Sequence, residues 1–337
     1  MRVTIVGVGA IGAVLGWQLS EAGHEVAHLV RPGRAAALAW SGVRIRYADL
    51  RVPQAAAPGT RRRMGRGESF DGEALYQPEL AEALPDGGGD FVLAPVWPRQ
   101  LAPLAEYLAG RGVRAEVVFM GTWAGGGDEI LPFLPAERFL CAHPGTIGAE
   151  RAGYRIRAVL AGPPRATAVG ELDGRHTLRL GRLVELLGSA GLFPAPCRDI
   201  AARLAMAQVQ QAAPLGALWL PRAGGAPLDD PRRARQALGA LREGLEVCRV
   251  RGIDPETAVP WALLRLPLPW AARLYGALHR RPEAQMMLAG AAAHGARELA
   301  AAYVEILAAG ERVGLAMPYW RAGEAAVAAR LGQPGEG

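Results

Sequence analysis

Val3-Thr4-Ile5-Val6-Gly7-Val8-Gly9-Ala10-Ile11-Gly12 is the stretch on which the reading of the fold turns. Its first four residues form a short, apolar, β-branched run and read as a buried strand. The glycines that follow fit G-x-G-x-x-G. That pattern alone is weak, but here it leaves a strand and opens a helix, the context that gives it meaning. Gly7 permits the tight turn, Gly9 lets backbone approach a pyrophosphate, and Gly12 allows close packing of helix on strand. Amides at Ala10 and Ile11 open the helix, where the dipole favours phosphate. The expectation is a dinucleotide site built on Gly7, Gly9, Ala10, Ile11 and Gly12.

Outward from this string, Ala10–Ala22 reads as a helix that ends at Gly23, a C-cap signal. Glu25–Val30 reads as the second strand. It runs into Leu29-Val30-Arg31-Pro32-Gly33-Arg34, with no carboxylate to grip a ribose 2′-hydroxyl and two guanidiniums in its place. A 2′-phosphate suits an arginine fork. The expected cofactor is therefore NADP(H), held by Arg31 first and Arg34 second. Val43–Tyr47 alternates and is a candidate third strand, and residues 52–75, rich in Pro, Gly and Arg, read as an irregular excursion. Phe91–Ala94, Glu116–Phe119, Phe139–Ala142 and Ala166–Leu172 are further strands, the last turning at Asp173-Gly174. Thr177–Ala190 is helical. Strands alternating with helices imply a parallel sheet wound on both faces.

Beyond residue 198 strand signals vanish. Ile200–Trp219, Pro231–Gly252, Pro255–Leu274 and Pro282–Gly310 read as long helices, with a final one at Gly323–Leu331. Asp230-Pro231 and Asp254-Pro255 both look like an N-cap followed by proline at the first helical position. The expected organisation is an α/β chain: a Rossmann domain over residues 1–197 and an all-helical domain over 198–337.

Composition narrows the function. Half of the 337 residues are hydrophobic and the net charge is +6. The arginines are dispersed and carry no aromatic interleaving, so a nucleic-acid surface is not expected. Cys141, Cys197 and Cys248 form no CxxC and fit no zinc or disulfide spacing, so no metal is expected. Val3–Val6 already reads as a strand, so no signal peptide is expected. No apolar run approaches 18 residues, and a cytoplasmic protein without a membrane partner follows. The chain contains no lysine and no asparagine: all 38 basic residues are arginine. Its chemistry can use neither an ammonium as proton donor nor an asparagine amide to orient a carbonyl.

The glycine string, Ala136-Glu137-Arg138 before the strand Phe139–Ala142, Thr146-Ile147-Gly148-Ala149-Glu150-Arg151, Val169-Gly170-Glu171-Leu172-Asp173-Gly174, and a closing stretch from Glu298 through Gly314-Leu315-Ala316-Met317-Pro318 occur in an order that resembles the ketopantoate reductase family. The resemblance implies a Rossmann domain, a helical domain of the 6-phosphogluconate dehydrogenase C-terminal type, a homodimer, and NADPH-dependent reduction of a 2-oxo acid. It also implies roles for Trp97, Gly121 and Glu298 toward the cofactor and for Met120, Thr122, Gln208, Gln211 and Met286 toward the substrate.

The chain departs from the family at the chemistry. The family's catalytic lysine falls near Ala205 or Ala207. Its Asn-Gly pair after the fifth strand is Met120-Gly121, a lysine becomes Pro95, asparagines fall near Val209 and Ala213, and a substrate-binding serine becomes Met286. A site that loses its hydrogen-bonding groups rejects its old ligand. The expected substrate is a small molecule larger and more apolar than ketopantoate.

Hydride transfer to a ketone needs an acid at the oxygen. His294 and Glu298 stand i,i+4 on one helix, with Tyr303 beyond them, and these three are the candidate catalytic residues. An iminium acceptor arrives already protonated and needs no such acid, so an imine reductase is a second reading. A non-redox cyclase or isomerase of a biosynthetic pathway and a dinucleotide-binding protein without turnover stand as alternatives.

Overall fold

The computed structural model describes residues 1–36, 42–51, 62–64, 68–70, 72–125, 127–153, 155–163, 165–219, 228, 230–254, 261–280, 284–285, 288 and 295–331. The chain folds as two compact units, Met1–Arg203 and Leu204–Gly337, where the sequence reading put the boundary near residue 197.

In the first unit the elements run β1 (Arg2–Val6), α1 (Ala10–Glu21), β2 (Glu25–Leu29), β3 (Val43–Asp49), β4 (Arg62–Met64), β5 (Glu68–Phe70), β6 (Gly72–Tyr76), β7 (Glu79–Ala81), β8 (Phe91–Pro95), α2 (Leu101–Gly110), β9 (Glu116–Met120), β10 (Phe139–Pro144), β11 (Ile147–Ala152), β12 (Arg155–Leu160), β13 (Thr167–Gly170), α3 (Leu178–Ser189), β14 (Pro194–Pro196) and the start of α4 (Ile200–Ala212). The large sheet has the order β14-β13-β10-β9-β8-β1-β2-β7. Its pairs are parallel except β10 with β13. From β7 to β10 this is the doubly wound order 3-2-1-4-5-6, whose strand order reverses between β1 and β8. The expected fold class holds. Strands at the centre are continuous apolar runs, as burial on both faces requires: Phe91–Ala94 and Val117–Met120 are all buried.

Two strand expectations need correction. Val43–Tyr47 is a strand, but it belongs to a second sheet of order β11-β12-β3-β6. The third strand of the main sheet is β7. The alternation of β3 is the reason, since it buries Val43 and Ile45 while Arg44 faces outward, the pattern of a sheet with one solvated face. Within 52–75, Gly72 opens β6, which pairs with β3, and β4 pairs with β5. The hairpin β11–β12 was not among the expected strands. The second sheet lies over α1, with the Trp17 and Tyr47 rings 4.8 Å apart and Val43, Ile45, Ile156 and Leu160 sharing one core with Val14, Leu15 and the buried leucines of α3.

Two of the motifs that carry the family resemblance meet in one tie. Glu171 is buried and accepts from Thr177 Oγ1 (2.5 Å) and Arg179 Nε (2.8 Å). Arg179 also donates to the carbonyls of Ala136, Glu137 and Phe139. The Glu171 string and the Ala136-Glu137-Arg138 string are thus joined by one guanidinium, and Thr177 caps α3 through the amide of Leu180.

The second unit is helical among its described residues: the rest of α4, α5 (Leu215–Leu218), α6 (Pro231–Val250), α7 (Trp261–Arg265), α8 (Leu268–Leu278), α9 (Ala296–Arg312) and α10 (Pro318–Leu331). Asp230 caps α6 as expected, accepting from the Arg232 amide at 2.8 Å, while Pro255 lies outside the described residues. The helix expected over Ile200–Trp219 breaks between Ala212 and Leu215. Pro214 sits in that break, and its ring removes a helical N–H and crowds the preceding turn. Among the described residues no helix is long and apolar enough to cross a membrane, and no His, Cys, Asp and Glu cluster could hold a metal.

Candidate functional site

The carboxyl ends of β1, β2, β8, β9 and β10 share one edge of the large sheet. Ligands of doubly wound folds bind outside this edge, at the point where strand order reverses. Gly7, Arg31, Trp97, Gly121 and Thr122 all follow directly from strands ending there.

Gly7 has φ +80°, a conformation that only glycine adopts at low cost. Both of its backbone groups are tied to β2: its amide donates to Leu29 O (2.8 Å) and its carbonyl accepts from His28 Nδ1 (2.9 Å). A Cβ on Gly12 would stand 3.0 Å from Gly7 O and 3.4 Å from Ile5, so Gly12 sets the close approach of α1 to β1. At Gly9 the same test meets nothing within 4 Å, so space for a ligand lies against its backbone. Gly9 is the N-cap of α1, no side chain caps that end, and no acidic residue stands in the first turn. The amides of Ala10, Ile11 and Gly12 are orphan donors of a helix start, aligned with the dipole toward an anion. The geometry fits a pyrophosphate.

His28 was missed in the sequence. It is fully buried, and its Nε2 lies 2.9 Å from Tyr76 Oη. Gly16 makes room for this pair, since a Cβ there would come within 2.4 Å of Nε2. Burial pushes the ring down to about 4, against the hydrogen bond to Gly7. The neutral ring therefore donates from Nδ1 to Gly7 O and accepts from the Tyr76 hydroxyl at Nε2. Tyr76 comes from the second sheet, and burial raises its hydroxyl to about 12.

At the end of β2, Arg31 and Arg34 are exposed and flank a turn in which the Arg34 amide donates to Arg31 O (3.1 Å). A carboxylate does reach this turn, from the neighbouring β7: Glu82 Oε1 accepts from the amides of Gly33 (2.8 Å) and Ala35 (3.2 Å). Nothing in the local string announced it, because sheet topology brings it there.

On the other half of the edge, Trp97 is half-buried and its amide donates to Gln100 Oε1 (3.0 Å). Gly121 follows β9, where a Cβ would stand 3.0 Å from Val96 O and 3.4 Å from the Trp123 ring. Thr122 is buried. Met120 is only 1% exposed and packs in the core, so its side chain is not on an open face. His143 is the penultimate residue of β10 and follows Ala142, whose carbonyl accepts from the Gly121 amide at 3.0 Å.

In the helical unit, Gln208 and Gln211 lie on α4. Gln208 is buried with no partner for its Oε1, and Gln211 is half-buried. Ala205 and Ala207, the positions nearest the family's lysine, are buried. Glu298 is half-buried in the first turn of α9. Tyr303 is fully buried and donates to Trp320 O (2.5 Å), with the two rings 4.2 Å apart. Its proton is thus committed to a backbone carbonyl, and burial raises its pKa further. His294 and Met286 lie outside the described residues.

The family model described as ketopantoate reductase PanE/ApbA matches residues 3–71. A search of the curated proteins returns no match. Among solved structures, the chain is similar to 2-dehydropantoate 2-reductase from Geobacter metallireducens GS-15, at 18% identity over 98% of this chain and 99% of that one, with a TM-score of 0.67. It is similar to a PanE/ApbA family ketopantoate reductase from Ralstonia eutropha JMP134, at 19% identity over 98% of each chain and a TM-score of 0.65. A D-mandelate dehydrogenase solved with NADH and anilino(oxo)acetate shares 15% identity over 98% of each chain, with a TM-score of 0.69. The resemblance read from the motifs is thus met by the family model at the glycine string and by a common fold along nearly the whole chain.

Proposed function

We propose that the chain is a divergent ketopantoate-reductase-like, NADP(H)-dependent oxidoreductase that reduces a carbonyl or an imine of a substrate larger and more apolar than ketopantoate. The observation that carries this reading is the glycine turn. Gly7 is clamped at both backbone groups, the start of α1 is uncapped, and open space lies beside Gly9. Such a cradle suits the pyrophosphate of a dinucleotide, whose nicotinamide supplies the hydride when bound.

Arg31 and Arg34 support the choice of the 2′-phosphorylated cofactor. Among the described residues neither guanidinium is ion-paired, whereas the one nearby carboxylate, Glu82, is engaged by the amides of Gly33 and Ala35. Both amides bind Glu82 Oε1, so at most Oε2 is left to reach a ribose hydroxyl.

The apolar substrate is inferred from Ala205, Ala207, Val209, Ala213 and Met286 at positions where the family carries polar groups. The alanines and Val209 are buried, and their hydrocarbon side chains carry no donor or acceptor. Gln208 and Gln211 offer amides that orient a carbonyl without protonating it. Glu298, with His294 beside it on the sequence, remains the candidate proton source; Tyr303 is the weakest of the three because its hydroxyl is bound to Trp320 O. An iminium acceptor removes the need for that acid.

The homodimer expected from the resemblance would cover an exposed apolar stripe in the helical unit, formed by Leu266, Trp270, Leu274 and Leu278 at four-residue spacing, with Trp270 62% exposed. Its check is the mass of the protein in solution. The test of function is NADPH oxidation with ketopantoate and with a panel of bulky ketones and cyclic imines. Oxidation confined to the bulky panel supports the reading, and ketopantoate as the preferred acceptor overturns it. Binding of NADPH without oxidation of any acceptor would favour the non-redox alternative.

A further inference from the structure

Arg242 and Glu246 stand i,i+4 on α6 with opposite charges, the spacing at which such side chains meet on one helix face. They do not pair. Arg242 Nη2 turns instead to the carbonyls of Leu263 (3.3 Å) and Leu266 (2.6 Å) at the end of α7, and Glu246 Oε2 accepts from Arg249 Nη1 at 2.6 Å. Both residues line one cavity of about 210 Å³, together with Glu243 of the same helix and with Leu315, Ala316 and Met317 from the turn between α9 and α10.

The walls of this cavity are held in place by the protein itself. Glu243 accepts from the Tyr319 amide with both oxygens, at 3.1 Å each, and from the Trp320 amide at 3.1 Å, so α6 is tied to the start of α10. The Leu315 amide donates to Gly310 O (3.0 Å), and Met317 packs so closely on α9 that a Cβ on Gly310 would stand 2.8 Å from its Sδ. Charged groups are nevertheless left over. Arg242 spends only Nη2 on the protein, and its Nε has no partner. Glu246 spends only Oε2.

The chemistry of an occupant follows from this wall. An anion alone would meet the carboxylates of Glu243 and Glu246, and a cation alone would meet the guanidinium of Arg242. A dipolar ion satisfies both, with its carboxylate on the guanidinium and its ammonium on Glu246. Leu315 is half-buried and Met317 is 1% exposed, so the facing wall is apolar and suits a hydrocarbon side chain. Pockets for drug-sized ligands run to roughly 300–1,000 Å³, and this cavity is smaller. We propose that it binds a zwitterionic α-amino acid with an apolar side chain, bridging α6 and the α9–α10 turn. The site lies within the helical unit, and the inference is independent of the dinucleotide reading.

The test is a calorimetric titration of the full chain with L-leucine and with two truncated forms of it. 4-Methylpentanoate lacks the ammonium, and 3-methylbutylamine lacks the carboxylate. Wild type is expected to bind L-leucine at least about tenfold more tightly than either, the size of one charge-assisted contact. In Glu246→Gln the preference over 4-methylpentanoate collapses toward onefold, while the preference over 3-methylbutylamine remains. Arg242→Gln shows the reverse. Ala316 is exposed at the cavity, so Ala316→Phe fills the space, is expected to melt with wild type and abolishes binding. Absence of L-leucine binding by wild type at millimolar concentration overturns the inference. So does equal binding of all three probes, a preference over 4-methylpentanoate that survives in Glu246→Gln, or unchanged binding by Ala316→Phe.

Discussion

His28 Nδ1 lies 2.9 Å from the carbonyl oxygen of Gly7, and the other nitrogen of the same ring lies 2.9 Å from the hydroxyl of Tyr76. A buried imidazole therefore joins the first glycine of the nucleotide turn to the second sheet. Gly7 has no side chain with which to hold itself, and its φ of +80° is shared by many competing loop conformations. The bonds to Leu29 O and His28 are what define the turn before any ligand arrives.

Removing that strut is expected to loosen the turn. His28→Phe keeps a flat but larger ring and removes the partner of Gly7 O and one partner of Tyr76 Oη, a cost of about 1–3 kcal/mol in stability. The same variant is expected to weaken NADPH binding by about tenfold through loss of preorganisation, since 1.4 kcal/mol is a factor of ten. Chemical denaturation and a fluorescence titration check the two effects separately. Unchanged affinity would show that the strut serves stability alone.

His28 and His143 make stability depend on pH in a defined window. Each is pushed from 6.5 to about 4 in the folded chain, first of all by burial. The unfolded chain binds protons at these rings that the folded chain refuses, so their contribution is fully present above pH 6.5 and is lost as pH falls toward 4. Each ring contributes of order 3 kcal/mol across the window. Asp49 and Asp90, whose carboxyls are held below their usual value of 3.8, lose their contributions only at lower pH. Denaturant midpoints at pH 7.5, 6 and 5 are expected to fall in that order in wild type and to fall less steeply in His28→Phe.

Gly9 and Gly12 separate binding from folding. A Cβ at Gly9 enters open space, while one at Gly12 meets Gly7 O at 3.0 Å. Gly9→Ala is expected to leave thermal stability within about 0.5 kcal/mol of wild type, and to reduce dinucleotide affinity at least about tenfold because the methyl fills space a pyrophosphate needs. Gly12→Ala is expected to lower both. Thermal melts with and without NADPH distinguish the two variants.

Cofactor choice is expected to reside in Arg31 and Arg34. Arg31→Ala should weaken NADPH by about tenfold, the range of a charge-assisted contact, and leave NADH unchanged. Arg34→Ala should act in the same direction more weakly. Glu82→Gln keeps an acceptor for Gly33 and Ala35 and removes a negative charge from the turn, so NADPH should bind somewhat more tightly and NADH equally well. Parallel titrations with both cofactors read the outcome.

Local signals made the nucleotide half of the fold legible, and long-range pairing hid the rest. Val3–Val6 and Phe91–Ala94 declare themselves because strands buried on both faces must be continuously apolar. The alternation of Val43–Tyr47 was equally plain and meant a strand with one wet face, which is why it joined a different sheet. Pro214 could have been taken as a break in α4 from its missing N–H alone. His28, Tyr76 and Glu82 could not be found the same way: each acts on a turn far from it in sequence, and only the order β1-β2-β7 and the packing of the second sheet bring them there. The motifs that carried the family resemblance, Glu171 and Ala136-Glu137-Arg138, hold the scaffold together through Arg179 and say little about the substrate.

The central claim is that the turn from Gly7 to Gly12 holds a 2′-phosphorylated dinucleotide. Its most direct test is a titration of the purified protein with NADPH and with NADH, followed by intrinsic fluorescence. Saturable, stoichiometric NADPH binding at least about tenfold tighter than NADH is expected. Absence of saturable binding by either dinucleotide would contradict it.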